Sequence, residues 1–442
     1  MNQTNGRTLV KGMGMISAVA LIVGNMVGTG IYTLPASLAN EAGPLSIVSW
    51  ILTAAGYLFL AIIYADMGSA YPQSGGPSVY ARKAFGDFVG FEIAFSYWLS
   101  VIIGNAAIVI ATVGYLSVFN ETLKNSPPLQ VVMCLFLIWI LVGINITGVK
   151  QGAAVTVVAT AAKLIPLLIF SIVAIWYFDP GNFTPFAPHS PDTGSIITAI
   201  SAGAALTVWA FAGLESATVP AEEVDNPNAI RKSTMIGFGI TTVVYLLISI
   251  SVTGILSNDE IAQSASPLAL AATRILGSWG GTFMAVGALI SGLGTLNGWI
   301  LLSGRIPLGV AADGLFPKAL AHIHVKYHTP YVSLIIAGVI ASLLVSLRLS
   351  RTLLDTFEFI VLLSVLMTLI PHVTTTYGEY VMSKRDPSAF PPRRAGLTPV
   401  ISITGLIFVI WIIYGTGLES IGLGGTLLIA GIPLYYWRKR TV

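Results

Sequence analysis

The stretch Gly24-Asn25-Met26-Val27-Gly28-Thr29-Gly30 sets three glycines within seven residues, inside an apolar run that begins near residue 13. Each glycine weakens a helix by roughly 1 kcal/mol relative to alanine, so three together favour local unwinding. A second stretch, Trp209-Ala210-Phe211-Ala212-Gly213-Leu214-Glu215-Ser216, puts a glycine and a carboxylate deep inside another apolar run. Unwound backbone survives at membrane depth only where it is buried in protein or lines a cavity. Glycines that merely let two transmembrane helices approach are the plainer reading of either stretch. Interruptions at matching positions of two repeats favour instead a substrate site near the bilayer midplane.

The rest of the chain is a membrane chain. Of its 442 residues 55% are hydrophobic and 9% are charged, far from the roughly one quarter charged in soluble domains, which excludes an ordinary cytosolic enzyme. A mean hydropathy of +0.83 is too high for one water-soluble core. Apolar stretches of about 20 residues lie near 13–35, 44–66, 90–119, 129–147, 153–178, 194–219, 234–257, 279–303, 331–347, 354–377, 397–415 and 420–437. The fold class is therefore an all-α polytopic membrane protein with twelve transmembrane helices, the first and sixth discontinuous. Residues 13–178 hold five spans and residues 194–377 five more, each set opening on one of the broken helices. Five is odd, so the second set enters from the opposite side, giving an inverted repeat. The last two spans, in 397–437, have no repeat partner and read as scaffold or as the surface of a homodimer.

Lysine and arginine set the orientation. Seventeen of the 22 fall on the side of the N-terminal segment 1–12 and the C-terminal segment 438–442, among them Arg82, Lys83, Lys150, Arg231, Lys232, Lys384, Arg385, Arg393 and Arg394. Lys124, Arg274, Arg348 and Arg351 fall on the other side, and Lys163 lies within a span. The bias places both termini in the cytoplasm of a plasma (inner) membrane. No cleavable signal peptide is expected. The single Cys134 excludes a disulfide framework and a cysteine-based zinc site. His322, His324 and His328 fall in a short loop with Lys318 and Lys326 and are not read as a metal site. Gln73-Ser74-Gly75-Gly76-Pro77 lacks the ending of a P-loop. No cofactor and no nucleic acid partner are expected.

In their order along the chain, several segments resemble the amino acid–polyamine–organocation superfamily, most of all its basic amino acid/polyamine antiporters, the arginine/agmatine and putrescine/ornithine exchangers. They are Gly24 to Gly30, Ser74-Gly75-Gly76 with Tyr80-Ala81-Arg82 and Phe85-Gly86, and Tyr97-Trp98-Leu99 with Gly104-Asn105. Trp209 to Ser216, Asn226-Pro227, Asn297-Gly298-Trp299 and Ala311 to Pro317 complete the set. The resemblance implies secondary active transport by alternating access, with an amino acid or polyamine as substrate and the five-plus-five fold described above.

Opening the first span at Gly28-Thr29-Gly30 leaves backbone N–H groups at the start of its second half-helix, where hydrogen bonding and the local dipole both suit a carboxylate. The resemblance implies that a substrate α-carboxylate sits there, on Thr29 and Gly30. Carbonyls near Trp209 and Ala212, with Met26, suit an α-ammonium. Trp299 offers a face for cation–π contact, worth about 0.5–2 kcal/mol. The resemblance implies that it stacks on a guanidinium bonded also by Asn105 and the backbone near Ser100 and Val101. Thr295 and Ser364 are further lining candidates, and Tyr97 and Trp209 are candidate gates. A membrane tryptophan is otherwise an interfacial anchor. That reading suits Trp98, whereas Trp209 and Trp299 sit well inside their spans.

Three ionisable residues are candidates for coupling. Glu215 lies within a span, where a charge costs about 2.5–3.5 kcal/mol on insertion scales and marks function by default. A structural bond to the break in the first span is its plainer role. Lys163 falls near the midplane. The resemblance implies that its ammonium stands where sodium-coupled relatives hold sodium, bonding carbonyls of the first break and able to cycle a proton. His372 reads as a hydrogen-bonded packing residue or as a tuner of the pH response. Asp66 and Glu358 lie near span ends, within reach of the interface.

Two functions compete within the carrier class. One is an antiporter of cationic amino acids and related amines. The other is a proton-coupled, sodium-independent amino acid permease of neutral or broad specificity. An intramembrane enzyme would need a cluster of nucleophile and base, or of metal ligands, within a span, and the sequence offers none. A channel would need a continuous polar lining rather than two broken helices.

Overall fold

Twelve helices of the described residues are long and apolar enough to cross a bilayer. They are span 1 (Met15–Glu41), span 2 (Gly43–Ala70), span 3 (Asp87–Phe119), span 4 (Pro127–Thr147), span 5 (Val157–Tyr177) and span 6 (Gly194–Phe211). Then follow span 7 (Asn228–Ile255), span 8 (Ser278–Ala311), span 9 (Tyr331–Leu349), span 10 (Leu353–Arg385), span 11 (Thr398–Gly415) and span 12 (Gly417–Arg438). The computed structural model describes residues 14–440 apart from 74, 149–152, 188–192, 219–223, 225–226, 313 and 391–395. The sequence candidates Ser74, Lys150, Asn226, Asp313, Arg393 and Arg394, and the segment 1–12, lie outside the described residues.

Spans 8 and 10 outrun a bilayer thickness because polar residues such as Arg305 and Lys384 continue their helices beyond the apolar stretch. Between spans, short helices at Pro77–Phe85 and Pro267–Leu276 were not legible as separate apolar runs. Each follows a turn and starts on proline, whose missing N–H costs nothing at a helix start.

The contacts of the two sets of five spans correspond. Span 1 packs on spans 5 and 7, as span 6 packs on spans 10 and 2. Span 3 packs on spans 8, 9 and 10, as span 8 packs on spans 3, 4 and 5. Exchanging spans 1 to 5 with spans 6 to 10, one for one, turns the first set of contacts into the second, as a repeat does. Span 3 is buried on nearly every side, in keeping with a helix uncharged from Phe95 to Leu116. Spans 4, 9 and 12 turn residues such as Val132, Phe136, Leu343 and Ile429 outward, where lipid is the solvent.

Two residues expected at the interface are interior. Trp98 is buried, donates its indole N–H to the Ser303 carbonyl at 2.7 Å and packs on Phe316. It joins spans 3 and 8 rather than anchoring in a headgroup belt. Asp66 is only 2% exposed and pairs with Arg231 at 3.4 Å. A carboxylate so enclosed is held by its partner and does not extend toward water.

Both predicted breaks are present and they touch. In span 1 a helix ends at Met26, Val27 leaves helical geometry, and a second helix starts at Gly30. In span 6 the helix ends at Phe211, Gly213 has φ +103°, and a 3₁₀ turn covers Leu214–Ala217. A Cβ on Gly213 would lie 3.1 Å from the Asn25 Cβ and 3.3 Å from the Met26 nitrogen, so the second break rests on the first. Gly213→Ala should therefore destabilise the fold by about 1–3 kcal/mol through its backbone strain alone. The check is the melting midpoint in detergent beside Gly239→Ala, whose Cβ would meet nothing within 4 Å. Equal midpoints for the two variants would contradict this assignment.

Candidate functional site

The end of a broken helix leaves backbone groups without intrahelical partners. In span 1 the Gly28 N–H turns back to the Met26 carbonyl at 2.9 Å, and the Thr29 carbonyl starts the next helix by accepting from Tyr32 and Thr33. The N–H groups of Thr29, Gly30 and Ile31 have no acceptor among the described residues. They stand at the N-terminus of a 12-residue helix, a place that favours negative charge. In span 6 the Trp209 carbonyl accepts from Ala212 N–H at 3.2 Å, whereas the Ala212 carbonyl has no donor among the described residues.

One cavity joins these groups. Asn25, Met26, Gly28, Thr29 and Gly30 line it from span 1, and Trp209, Ala210 and Ala212 from span 6. Ile108 of span 3 closes it with Thr295 and Trp299 of span 8. Seven sequence candidates thus come together: Met26, Thr29, Gly30, Trp209, Ala212, Thr295 and Trp299. Two polar atoms of the lining residues, Thr29 Oγ1 and Trp299 Nε1, are buried without a hydrogen-bond partner among the described residues, as are Asn105 Oδ1 and Glu215 Oε2 off the lining. Buried polar groups are normally paired, so unpaired ones on a cavity wall mark a place for a polar ligand or for water.

Trp209 controls the space. Its ring lies 5.8 Å from that of Trp299, and its Cδ1 is 3.1 Å from where a Gly30 Cβ would stand. At the other edge its Cη2 is 2.7 Å from the corresponding point on Gly104. The cavity is left with room for about one water molecule. Any larger occupant requires the lining to move.

Four candidates lie off the cavity lining. Ser364 donates to the Ser100 carbonyl at 2.8 Å and Ser100 Oγ to the Tyr97 carbonyl at 2.7 Å, so the backbone offered to a substrate at Ser100 is engaged within the protein. Val101 and Asn105 are buried in the same span. Met26 also differs from expectation in detail: its carbonyl already accepts from Gly28 N–H, at 2.9 Å, and faces the Tyr245 hydroxyl, at 2.6 Å.

The ionisable candidates have specific partners. Lys163, 4% exposed, donates to the Gly24 carbonyl at 2.9 Å and to Thr295 Oγ1 at 2.7 Å, linking span 5 to the first break and to span 8. No carboxylate pairs with it among the described residues. Glu215 accepts from the Tyr97 hydroxyl at 2.8 Å, so the candidate gate Tyr97 ties span 3 to the second break. His372 has both ring nitrogens occupied, by Tyr64 at 2.8 Å and Tyr57 at 3.3 Å. Tyr57 in turn stacks on Phe211, the residue that ends the helix of span 6. Sequence reasoning missed Tyr245, Tyr57 and Tyr64. They stand in ordinary apolar runs, and only the tertiary structure shows what their hydroxyls reach.

Two touching helix breaks around a buried cavity in a twelve-span bundle define a substrate carrier. The chain belongs to the amino acid permease family, whose model matches residues 13–426. It is 30% identical to an arginine/agmatine antiporter of Chlamydia felis, over 98% of this chain and 91% of the relative. An arginine/ornithine antiporter of Pseudomonas aeruginosa is 28% identical over 96% of this chain and 90% of its own length. An arginine/agmatine antiporter of Chlamydia pneumoniae is 29% identical, with 96% and 90% covered. The chain is a transporter and not an enzyme.

Lys163→Met keeps an apolar stem but removes both charge-assisted bonds, each worth about 1.5–3 kcal/mol. A clearly lower melting midpoint is expected, with Thr295→Val lowering it by about one bond. A Lys163→Met midpoint equal to that of the parent would show that the ammonium does not hold the first break.

Proposed function

We propose that this chain is an antiporter that exchanges cationic amino acids for related amino acids or amines by alternating access. The observation that carries the reading is the single cavity in which both breaks meet, with free N–H groups on one wall and an unpartnered carbonyl on another. A zwitterion fits such walls. Its α-carboxylate would take the amides of Thr29, Gly30 and Ile31, and its α-ammonium the Ala212 carbonyl. The side chain would then run toward Trp299, whose π-face suits a guanidinium or ammonium. The antiporter relatives support exchange over proton-coupled symport, and support arginine and its amine products as the substrates to try first.

Trp209 is the gate in this account, because it fills the space that a substrate needs. Asn105, Ser100, Val101 and Ser364 line the route only once the indole has moved. Lys163 takes the place of a sodium ion at the first break, and transport is therefore sodium-independent. Glu215 with Tyr97 couples the second break to the charge of the substrate. The excess of lysine and arginine on the loops after even-numbered spans supports cytoplasmic termini in the plasma membrane.

Labelled arginine should enter proteoliposomes loaded with arginine, ornithine or agmatine, and should not enter empty ones. Equal uptake into empty vesicles, driven by an inward proton gradient or by sodium, would overturn exchange. Trp299→Leu should raise KM for arginine about 2- to 30-fold, the range that 0.5–2 kcal/mol of cation–π contact spans. An unchanged KM would remove Trp299 from the substrate site.

A further inference from the structure

Tyr245 lies in span 7, is fully buried, and is absent from the cavity lining. Its hydroxyl oxygen is 2.6 Å from the Met26 carbonyl and 2.7 Å from the Ala210 carbonyl. Those two carbonyls belong to different breaks, and both residues line the cavity. The ring is held by Trp50 at 5.2 Å and by Phe211, edge-on, at 5.5 Å.

A phenol carries one proton. Two carbonyl oxygens at hydrogen-bond distance therefore compete for a single donor. Met26 has a second donor in Gly28 N–H, at 2.9 Å, whereas Ala210 has no other donor among the described residues. The proton is thus best used on Ala210, which leaves the Met26 oxygen facing a hydroxyl lone pair. A cationic N–H donor arriving from the cavity side relieves that contact, and the hydroxyl then serves Ala210 alone.

We infer that Tyr245 is a positioning residue for recognition of the substrate ammonium. It ties the two breaks together at one hydroxyl, so that the carbonyls of Met26 and Ala212 present themselves to the same cation. It also yields the Met26 carbonyl when that cation binds. This rests on the amino acid reading of the cavity. It adds that discrimination for an amine over its absence depends on a hydroxyl that the substrate does not touch.

The test compares arginine with 5-guanidinopentanoate, which is arginine without its α-amino group. Exchange of labelled arginine gives KM, and inhibition by the deaminated compound gives Ki. Tyr245→Phe should raise KM for arginine by about fivefold to tenfold, the span of one or more lost hydrogen bonds. Ki for the deaminated compound should stay within twofold. Tyr32→Phe is the control, since among the described residues that hydroxyl donates only to the Lys163 carbonyl, at 3.4 Å. It should leave the ratio of Ki to KM unchanged.

A ratio that does not move in Tyr245→Phe, or that moves equally in Tyr32→Phe, would overturn the assignment. Trp50→Phe keeps the hydroxyl but loosens the ring that aims it, and should shift the ratio the same way by a smaller factor. If Tyr245→Phe cannot be reconstituted, an unmoved ratio in Trp50→Phe overturns the inference on its own. Failure of the parent protein to exchange arginine would instead overturn the substrate reading, and this inference with it.

Discussion

The constraint on which everything else depends is that a bilayer offers no water to an unwound backbone. Two spans of this chain open in mid-membrane, and each opening leaves amides and carbonyls that must be answered from within the protein. The answer is mutual contact. Gly213 lets the second break rest on Asn25 and Met26 of the first. Side chains from three other spans then reach in: Lys163 to Gly24, Ser291 to Val27, and Tyr245 to both breaks. Close approach at this point is possible because the chain places glycines there. Ideal Cβ positions on Gly24 and Gly292 would collide with Thr160 and Thr112 at 2.5 and 2.4 Å.

The same accounting locates function. Among the described residues, Thr29, Gly30 and Ala212 keep backbone groups without partners, and all three line one cavity. The amides of Thr29, Gly30 and Ile31 and the carbonyl of Ala212 have opposite polarity and stand on opposite breaks. A ligand bearing both an anion and a cation satisfies both ends, which an anion or a cation alone cannot do. Because the two breaks belong to different repeats, such a ligand also bridges elements that must move relative to one another in alternating access. In the proposed exchange, binding and conformational change are one event at this site, and Trp209, wedged between Gly30 and Gly104, is the gate.

Much of this was legible in the sequence, for stated reasons. The twelve spans were readable because lipid demands about 20 apolar residues each, and the observed ends differ mainly where polar residues prolong a helix outside the apolar stretch. The breaks were readable because glycine is a poor helix former: three fall within seven residues of the first, and Gly213 sits beside a carboxylate in the second. What was not legible is the identity of tertiary partners. Tyr245, Tyr57 and Tyr64 look like any tyrosine in an apolar run, yet their hydroxyls answer the breaks and His372. Trp98 and Asp66 are buried with partners from other elements, Ser303 and Phe316 for the one and Arg231 for the other, and neither set can be read from the local sequence. Ser100 was a candidate through its backbone and Ser364 as a polar lining residue, and the bond from the Ser364 hydroxyl to the Ser100 carbonyl cannot be read from either helix alone.

The central claim is that a zwitterion is read by backbone at the two breaks. A structure of the chain with bound arginine, at a resolution that distinguishes carboxylate from guanidinium, tests it most directly. The account predicts the carboxylate within hydrogen-bond distance of the Thr29, Gly30 and Ile31 amides, the ammonium at the Ala212 carbonyl, and the guanidinium against Trp299 with Trp209 displaced. Arginine bound in the reverse sense, or held away from both breaks with Trp209 unmoved, would contradict it.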